Sequence, residues 1–174
     1  MAITRLGGAN AISGTIPAAN VATLTSSNLP AGSVIQVKHG TLGNMATQSS
    51  SYSIIGSISI TPTSASNKIF IMYENHEYIQ DWSSDAWRGC LTKLLRDSTT
   101  LISDENYYGN GAFFTGNTDR TMSYTSHHYL DSPNTTNSIT YQVDGRSKVN
   151  GVSVSFNVPT YGMQGRITAM EIKG

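Results

Sequence analysis

The densest mixture of chemically useful side chains lies in YENHEYIQDWSSDAWR at residues 73–88. Aromatic rings and carboxylates are interleaved there, namely Tyr73, Tyr78, Trp82 and Trp87 with Glu74, Glu77, Asp81 and Asp85. Paired carboxylates beside aromatic rings suit glycoside hydrolysis, and aromatic faces alone suit packing on a sugar ring. We favour the plainer interpretation of an inter-strand loop with aromatic anchors. Receptor or glycan contact through Tyr78, Trp82 and Trp87 comes second, and catalysis comes third.

A second aromatic loop, ENYYGNGAFFTGNTD, spans residues 105–119. It carries Tyr107, Tyr108, Phe113 and Phe114 among glycines and asparagines. Loops of this composition at the end of a β-sandwich are typical contact surfaces. These four residues are therefore further candidates for receptor or glycan contact.

The thiol and the imidazoles give little support for catalysis or metal binding. Cys90 is the only cysteine, and we expect a small buried apolar side chain rather than a nucleophile. His127 and His128 are adjacent, so a strand directs them to opposite faces, whereas His76 and Glu74 share a face without a third ligand. We expect no metal and no cofactor, although a trimer would repeat one axial histidine three times.

The sequence contains no nucleophile elbow, phosphate loop, zinc-protease helix or dinucleotide fingerprint, so we expect no enzyme. Its 174 residues have a formal net charge of zero, and only 13% are charged. Ser, Thr, Asn and Gly make up about two-fifths of the chain. A neutral chain without a basic block is a poor partner for nucleic acid, and no apolar run is long enough for membrane insertion.

Residues 1–32 differ from the rest of the chain because Arg5 is their one charged side chain. Glycines and Pro17 interrupt every window long enough for a helix. Spaced aliphatics remain, namely Ile3, Leu6, Ile12, Ile16, Val21, Leu24 and Leu29. We predict an extended arm that becomes ordered against another chain and buries these side chains there. The alternative is a floppy terminus.

Period-two alternation begins at residue 33 and predicts eight or nine strands in one domain, 33–174. The predicted strands cover residues 33–38, 52–60, 68–73, 88–96, 100–103, 121–130, 138–143, 151–158 and 165–172. The apolar run KIFIMY at 68–73 should be covered on both faces. Predicted turns lie at Thr61–Asn67, at Asp131–Asn137, and at the dipeptides Asp144-Gly145 and Asn150-Gly151.

Many short strands without a convincing helix predict an all-β fold, a jelly-roll-like antiparallel sandwich preceded by the extended N-terminal arm. Its outward strand positions carry Ser, Thr and Asn where a monomer usually has Lys and Glu. Strand edges without charge are poorly protected against pairing with other chains. The composition therefore favours an assembly role.

The run GTIPAANVATLTSSNLPAGSVIQV at 14–37 resembles bacteriophage virion proteins, above all those of marine and cyanobacterial phages. Four further segments fit the same pattern: 57–72, 94–99, 129–143 and the terminal ITAMEIKG at 167–174. The resemblance implies a trimeric jelly-roll domain on a tail fibre, a head fibre or a capsid surface. It transfers no catalytic residues.

The sequence thus predicts a virion structural protein on the capsid or tail surface, anchored by its arm. Its expected partners are two further copies of itself, other virion proteins and a host-surface glycan. The rival hypothesis is a lectin-like or glycan-hydrolysing β-sandwich that uses the loop of Trp82 and Trp87.

Overall fold

A computed structural model of the chain describes residues 28–80, 88–103, 113–114 and 120–174. The chain divides after Pro30, and the architecture below is that of the unit Ala31–Gly174. Eleven strands are described, and their bounds are β1 Val34–Leu42, β2 Met45–Thr47, β3 Ser53–Ile60, β4 Lys68–Gln80, β5 Arg88–Arg96, β6 Thr99–Ile102, β7 Phe113–Phe114, β8 Arg120–Asp131, β9 Ile139–Ser147, β10 Ser153–Phe156 and β11 Gly165–Ile172. A short 3-10 helix, Pro159–Tyr161, precedes β11.

The strands form two antiparallel sheets. Sheet 1 has the order β1-β11-β4-β8, and β10 and β2 extend it beyond the end of β11. Sheet 2 has the order β3-β9-β5-β6, with β7 also paired to β5. The long strands alternate between the sheets along the chain. Strands β1, β4, β8 and β11 belong to sheet 1, and β3, β5 and β9 belong to sheet 2. This order is that of a jelly roll, as the sequence predicted.

The core lies between the two sheets. Alternating residues of each strand point inward, so Ile69, Ile71 and Tyr73 of β4 meet Tyr141 and Val143 of β9 in one buried cluster. The Tyr73 hydroxyl also lies 3.3 Å from Thr92 Oγ1 of β5, which links the sheets. The faces that point away from this core are consequently fixed by strand parity.

A buried carboxylate fixes the end of sheet 1 that carries the C-terminus. Glu171 Oε1 accepts hydrogen bonds from the backbone N–H and hydroxyl of Thr63 and from Asn67 Nδ2, and Oε2 accepts from Gln36 Nε2. Burial alone would raise the pKa of Glu171, but these four hydrogen bonds lower it below the ordinary value. The predicted turn Thr61–Asn67 is thereby held against β11.

A second buried carboxylate ties β8 to sheet 2. Asp131 accepts from Arg96 Nη1 at 2.8 Å and from the Tyr141 hydroxyl at 2.6 Å. Burial raises the pKa of Tyr141, and its hydrogen bond to Asp131 raises it further. The last residue of β8 is therefore anchored to both β5 and β9.

Most of the predicted strands are confirmed, with 88–96 and 165–172 matching residue for residue. The predicted turn at Asp144-Gly145 is wrong, because both residues lie inside β9. Gly145 is there for space: a Cβ would come within 2.8 Å of the Phe156 ring and 2.7 Å of Ile55 Cδ1. The turn at Asn150-Gly151 is confirmed, and Gly151 has a φ of 89°.

The expectation that KIFIMY is covered on both faces is wrong for the single chain. Ile69, Ile71 and Tyr73 are fully buried, but Met72 on the opposite face is 39% exposed. In the part of the chain that the structure describes, no helix is long and apolar enough to cross a membrane.

Candidate interaction surface

The outer face of sheet 1 carries a row of apolar side chains that the described residues leave open. The register places Leu130 of β8, Phe70 of β4, Met170 of β11 and Val37 of β1 side by side. Leu130 is 51% exposed and Val37 is 53% exposed. Four strands thus present one continuous apolar row, which we call the outer row.

The next row toward the far end of the sheet is mixed. It runs from His128 through Met72 and Thr168 to His39. His39 Nδ1 lies 2.9 Å from Thr168 Oγ1, and the His128 ring lies 5.9 Å from the ring of Phe70. The row therefore adds the exposed Met72 to the apolar surface, and within it His39 has Thr168 as a hydrogen-bond partner.

The third row contains an ion pair that neutralises itself. Arg166 Nε lies 3.8 Å from Glu74 Oε1, and the Tyr124 hydroxyl donates to the other Glu74 oxygen. This hydrogen bond raises the pKa of Tyr124. Tyr124 itself belongs to the following row, where it lies opposite His76, and the two rings pack edge-on with 4.9 Å between their centroids. The Glu74–Arg166 pair contributes no net charge to the face.

A shallow depression among His39, Met72, Glu74 and Arg166 has a volume of about 80 Å³. Small-molecule sites typically enclose about 300–1,000 Å³. The depression is much smaller than such a site.

Exposed apolar side chains are concentrated on this face. Six of the nine large hydrophobic side chains that are exposed in the described residues lie on β1, β4 and β8, namely Val34, Val37, Met72, Met122, Tyr124 and Leu130. Contiguous exposed apolar patches on a folded domain mark interaction sites. The outer face of sheet 1 is therefore the candidate interaction surface.

Most residues that the sequence singled out for contact lie outside the described part of the chain. These are the arm residues Ile3, Leu6, Ile12, Ile16, Val21 and Leu24 and the loop residues Trp82, Trp87, Tyr107 and Tyr108. Leu29 is half-buried. The backbones of Phe113 and Phe114 form β7 and pair with Gly89 and Arg88.

Tyr78 is placed differently from its predicted role. It is only 4% exposed and packs on Tyr161 of the 3-10 helix, with 5.5 Å between ring centroids. A ring buried in this way has no face open to a sugar. Tyr78 thus serves the packing of the domain.

Cys90 and His127 both lie on the core side of their strands. Cys90 is fully buried, and its pKa is raised well above the ordinary value by burial and then by the Glu77 carboxylate. A protonated buried thiol is a poor nucleophile. His127 points inward beside Tyr73, and burial lowers its pKa. Within the described residues, no three metal-ligating side chains form a cluster.

Sequence reasoning missed the outer row, although its components were visible. The run KIFIMY placed Phe70 and Met72 on one face, and the alternation at 121–130 placed Met122 and Leu130 on one face. The missing information was the pairing of β4 with β8 and β11, which makes these faces contiguous.

No protein-family model matches the sequence, and no curated protein matches it. Among solved structures, an IBDV viral particle protein is similar at 12% identity over 79% of this chain and 35% of its own, with a TM-score of 0.46. The infectious bursal disease virus VP2 subviral particle is similar at 13% identity over 80% of this chain and 37% of its own, with a TM-score of 0.42. Dimeric latent PorU from Porphyromonas gingivalis is similar at 12% identity over 83% of this chain and 14% of its own, with a TM-score of 0.31.

This chain spans little more than a third of the length of the viral chains it matches. At these identities and scores the likenesses are distant. The jelly-roll assignment rests on the strand order described above.

Proposed function

We propose that the chain is a non-enzymatic structural subunit of a bacteriophage virion. It forms a homotrimer on the capsid or tail surface, and residues 1–32 anchor it to other virion proteins. The observation that carries the proposal is the outer face of sheet 1, where an apolar row crosses four strands without cover from the described residues. The sequence resemblance and the jelly-roll topology support the same role.

The physical basis is burial of apolar surface between copies. Full burial of a Leu, Val, Met or Phe side chain contributes about 1.5–3 kcal/mol. Among the described residues of the three rows, Glu74 and Arg166 form the one ion pair. Association through such a surface depends weakly on salt, because few unpaired charges are involved.

Host attachment is a separate part of the proposal. Trp82, Trp87, Tyr107, Tyr108, Phe113 and Phe114 stay the candidate contacts, and glycan binding is their expected activity. A glycan-array screen tests this part. Binding that is lost in Trp82→Ala while assembly persists supports it, whereas release of hydrolysis products supports the rival enzyme hypothesis.

The assembly role is tested with the full chain by light scattering during size-exclusion chromatography. We expect a trimer, or a larger assembly of trimers, at micromolar concentration, with a mass that is insensitive to salt between about 0.1 and 1 M. Labelling of the protein on imaged particles then gives its position on the virion. A monomer throughout the concentration range contradicts the proposal.

A further inference from the structure

Strand β8 forms the open edge of sheet 1. Its residues Arg120–Asp131 pair with β4 along their whole length, and no other described strand pairs with them. Natural edge strands are usually short, or guarded by Lys, Pro or inward-pointing charges. Between its end residues β8 reads TMSYTSHHYL, with no Lys, Arg, Asp, Glu or Pro in ten residues. The strand is long, and its own sequence lacks the charges and prolines that usually guard such an edge.

The sequence of β8 is complementary to itself. Its outward side chains are Met122, Tyr124, Ser126, His128 and Leu130, which alternate with half-buried ones. An antiparallel pair must keep outward residues opposite outward residues, because a slip of one residue turns every side chain to the other face. A register centred on Ser126 satisfies this condition. It places Met122 opposite Leu130 of the second copy and Tyr124 opposite His128, and each pair occurs twice.

We propose that β8 pairs antiparallel with β8 of a second copy across a two-fold axis at Ser126. This inference rests on the proposed assembly role and adds a specific contact to it. The pairing joins two sheets 1 into one sheet of eight main strands, β1-β11-β4-β8 and their counterparts. It satisfies the outward backbone groups of the edge and makes the exposed apolar faces of the two copies continuous.

A two-fold contact closes between two copies and does not by itself generate a trimer. The β8 pairing therefore links subunits of different trimers. Three such edges on each trimer produce a closed shell or an extended layer. Among the positions left open by the sequence, this geometry favours the capsid surface over an isolated fibre knob.

Disulfide trapping with the full chain tests the pairing. In an antiparallel pair, directly opposite Cα atoms lie about 4.5–5.5 Å apart, within the about 4.4–6.8 Å that a disulfide spans. We expect Ser126→Cys to form a covalent dimer under mild oxidation with diamide. Ser57→Cys, an exposed serine on β3 of sheet 2, is the matched control and should stay reduced. Cys90 is fully buried and does not interfere.

Two further variants test the register. Met122→Cys and Leu130→Cys should form few disulfides alone and a mixed disulfide when the two proteins are combined. Ser126→Lys places two ammonium groups opposite each other, so it should weaken the pairing about fivefold or more, whereas Ser57→Lys should not.

The outcomes separate the two proposals. A reduced Ser126→Cys in protein that light scattering shows to be assembled overturns the β8 pairing and leaves the assembly role standing. Trapping of Ser57→Cys to the same extent as Ser126→Cys also overturns the pairing. A chain that stays monomeric at every concentration overturns both.

Discussion

The outer faces of the two sheets differ in the side chains that they expose to solvent. On sheet 2, Lys93 Nζ lies 3.4 Å from Asp144 Oδ2, and Gln142 donates to the other Asp144 oxygen. The Tyr52 ring lies beneath Lys93 and Arg146, at 4.3 Å and 4.9 Å from its centroid. Polar and charged groups on this face interact with one another. Sheet 1 instead presents Val37, Met72, Met122 and Leu130, each at least 39% exposed.

The comparison shows that the few charged side chains are unevenly distributed between the two outer faces. The exposed side chains on the outer face of sheet 2 are mainly polar or charged, with Ile54 at the bulge of β3 as an exposed aliphatic exception. Leu91 and Leu95 lie on the same face of β5 as Lys93, but both are buried. Sheet 1 has an outer face on which exposed apolar side chains lie side by side. Composition alone predicted an adhesive surface, and the sheet register makes this face the candidate for it.

The largest expected effect comes from adding a charge to the outer face of sheet 1. Met72→Lys places an ammonium group in the proposed subunit contact, where desolvation is costly without a partner. We expect association to weaken about a hundredfold or more, measured by light scattering across a dilution series. Far-UV circular dichroism should show the fold unchanged, because Met72 points away from the core.

Ser57→Lys is the matched control, since it adds the same charge to an exposed position of sheet 2. Its association should equal that of the wild type. If both variants weaken association equally, the distinction between the two faces is wrong.

A substitution at the buried Glu171 should affect folding without changing either outer face. Glu171→Gln removes the charge that accepts four hydrogen bonds and leaves at least one donor badly placed. We expect the free energy of unfolding to fall by about 2 kcal/mol. Urea denaturation of the full chain measures it. An unchanged stability contradicts the assigned role of the buried carboxylate.

The same carboxylate gives the domain a direction of pH dependence. The folded pKa of Glu171 lies below the ordinary value of 4.5, so its stabilising contribution is fully present above about pH 4.5. As the pH falls toward the folded pKa, that contribution is progressively lost. Denaturation midpoints between pH 7 and pH 3 should decline in the wild type and decline less in Glu171→Gln. Parallel curves contradict this account.

The smallest effect is expected on the outer face of sheet 2. Lys93→Ala removes a partly exposed ion pair with Asp144 and a cation–π contact with Tyr52. We expect a loss of about 0.5–1 kcal/mol in unfolding free energy. Association should be unaffected, and a large loss of association would place this face in the subunit contact.

The sequence predicted the architecture well where alternation was regular. In GVSVSFNV and SITYQV, parity alone identified the inward residues Val154, Phe156, Tyr141 and Val143. The sequence-based prediction failed at Asp144-Gly145. Glycine favours a turn, but at position 145 it occurs inside a crowded strand, where a Cβ would collide with Ile55 and Phe156. Local residue types do not distinguish these two reasons for a glycine.

The position of the candidate interaction surface could not be predicted from the sequence. Uncharged outward positions indicated contact with other chains, but the outer row joins residues as distant in sequence as Val37 and Met170. Likewise, no local pattern marks Glu171 as buried, since its donors come from Gln36 and the turn at Thr63 and Asn67. Both depend on long-range register, which a single sequence does not encode visibly.

The central claim is that other copies of the chain cover the outer face of sheet 1. Hydroxyl-radical footprinting with mass spectrometry tests it most directly, by comparing assembled protein with protein diluted to monomer. Met72 and Met122 should be strongly protected in the assembly, while Tyr52, which packs against Lys93 and Arg146 of sheet 2, is oxidised at the same rate in both states. Equal oxidation of Met72 and Met122 in assembled and monomeric protein would contradict the claim.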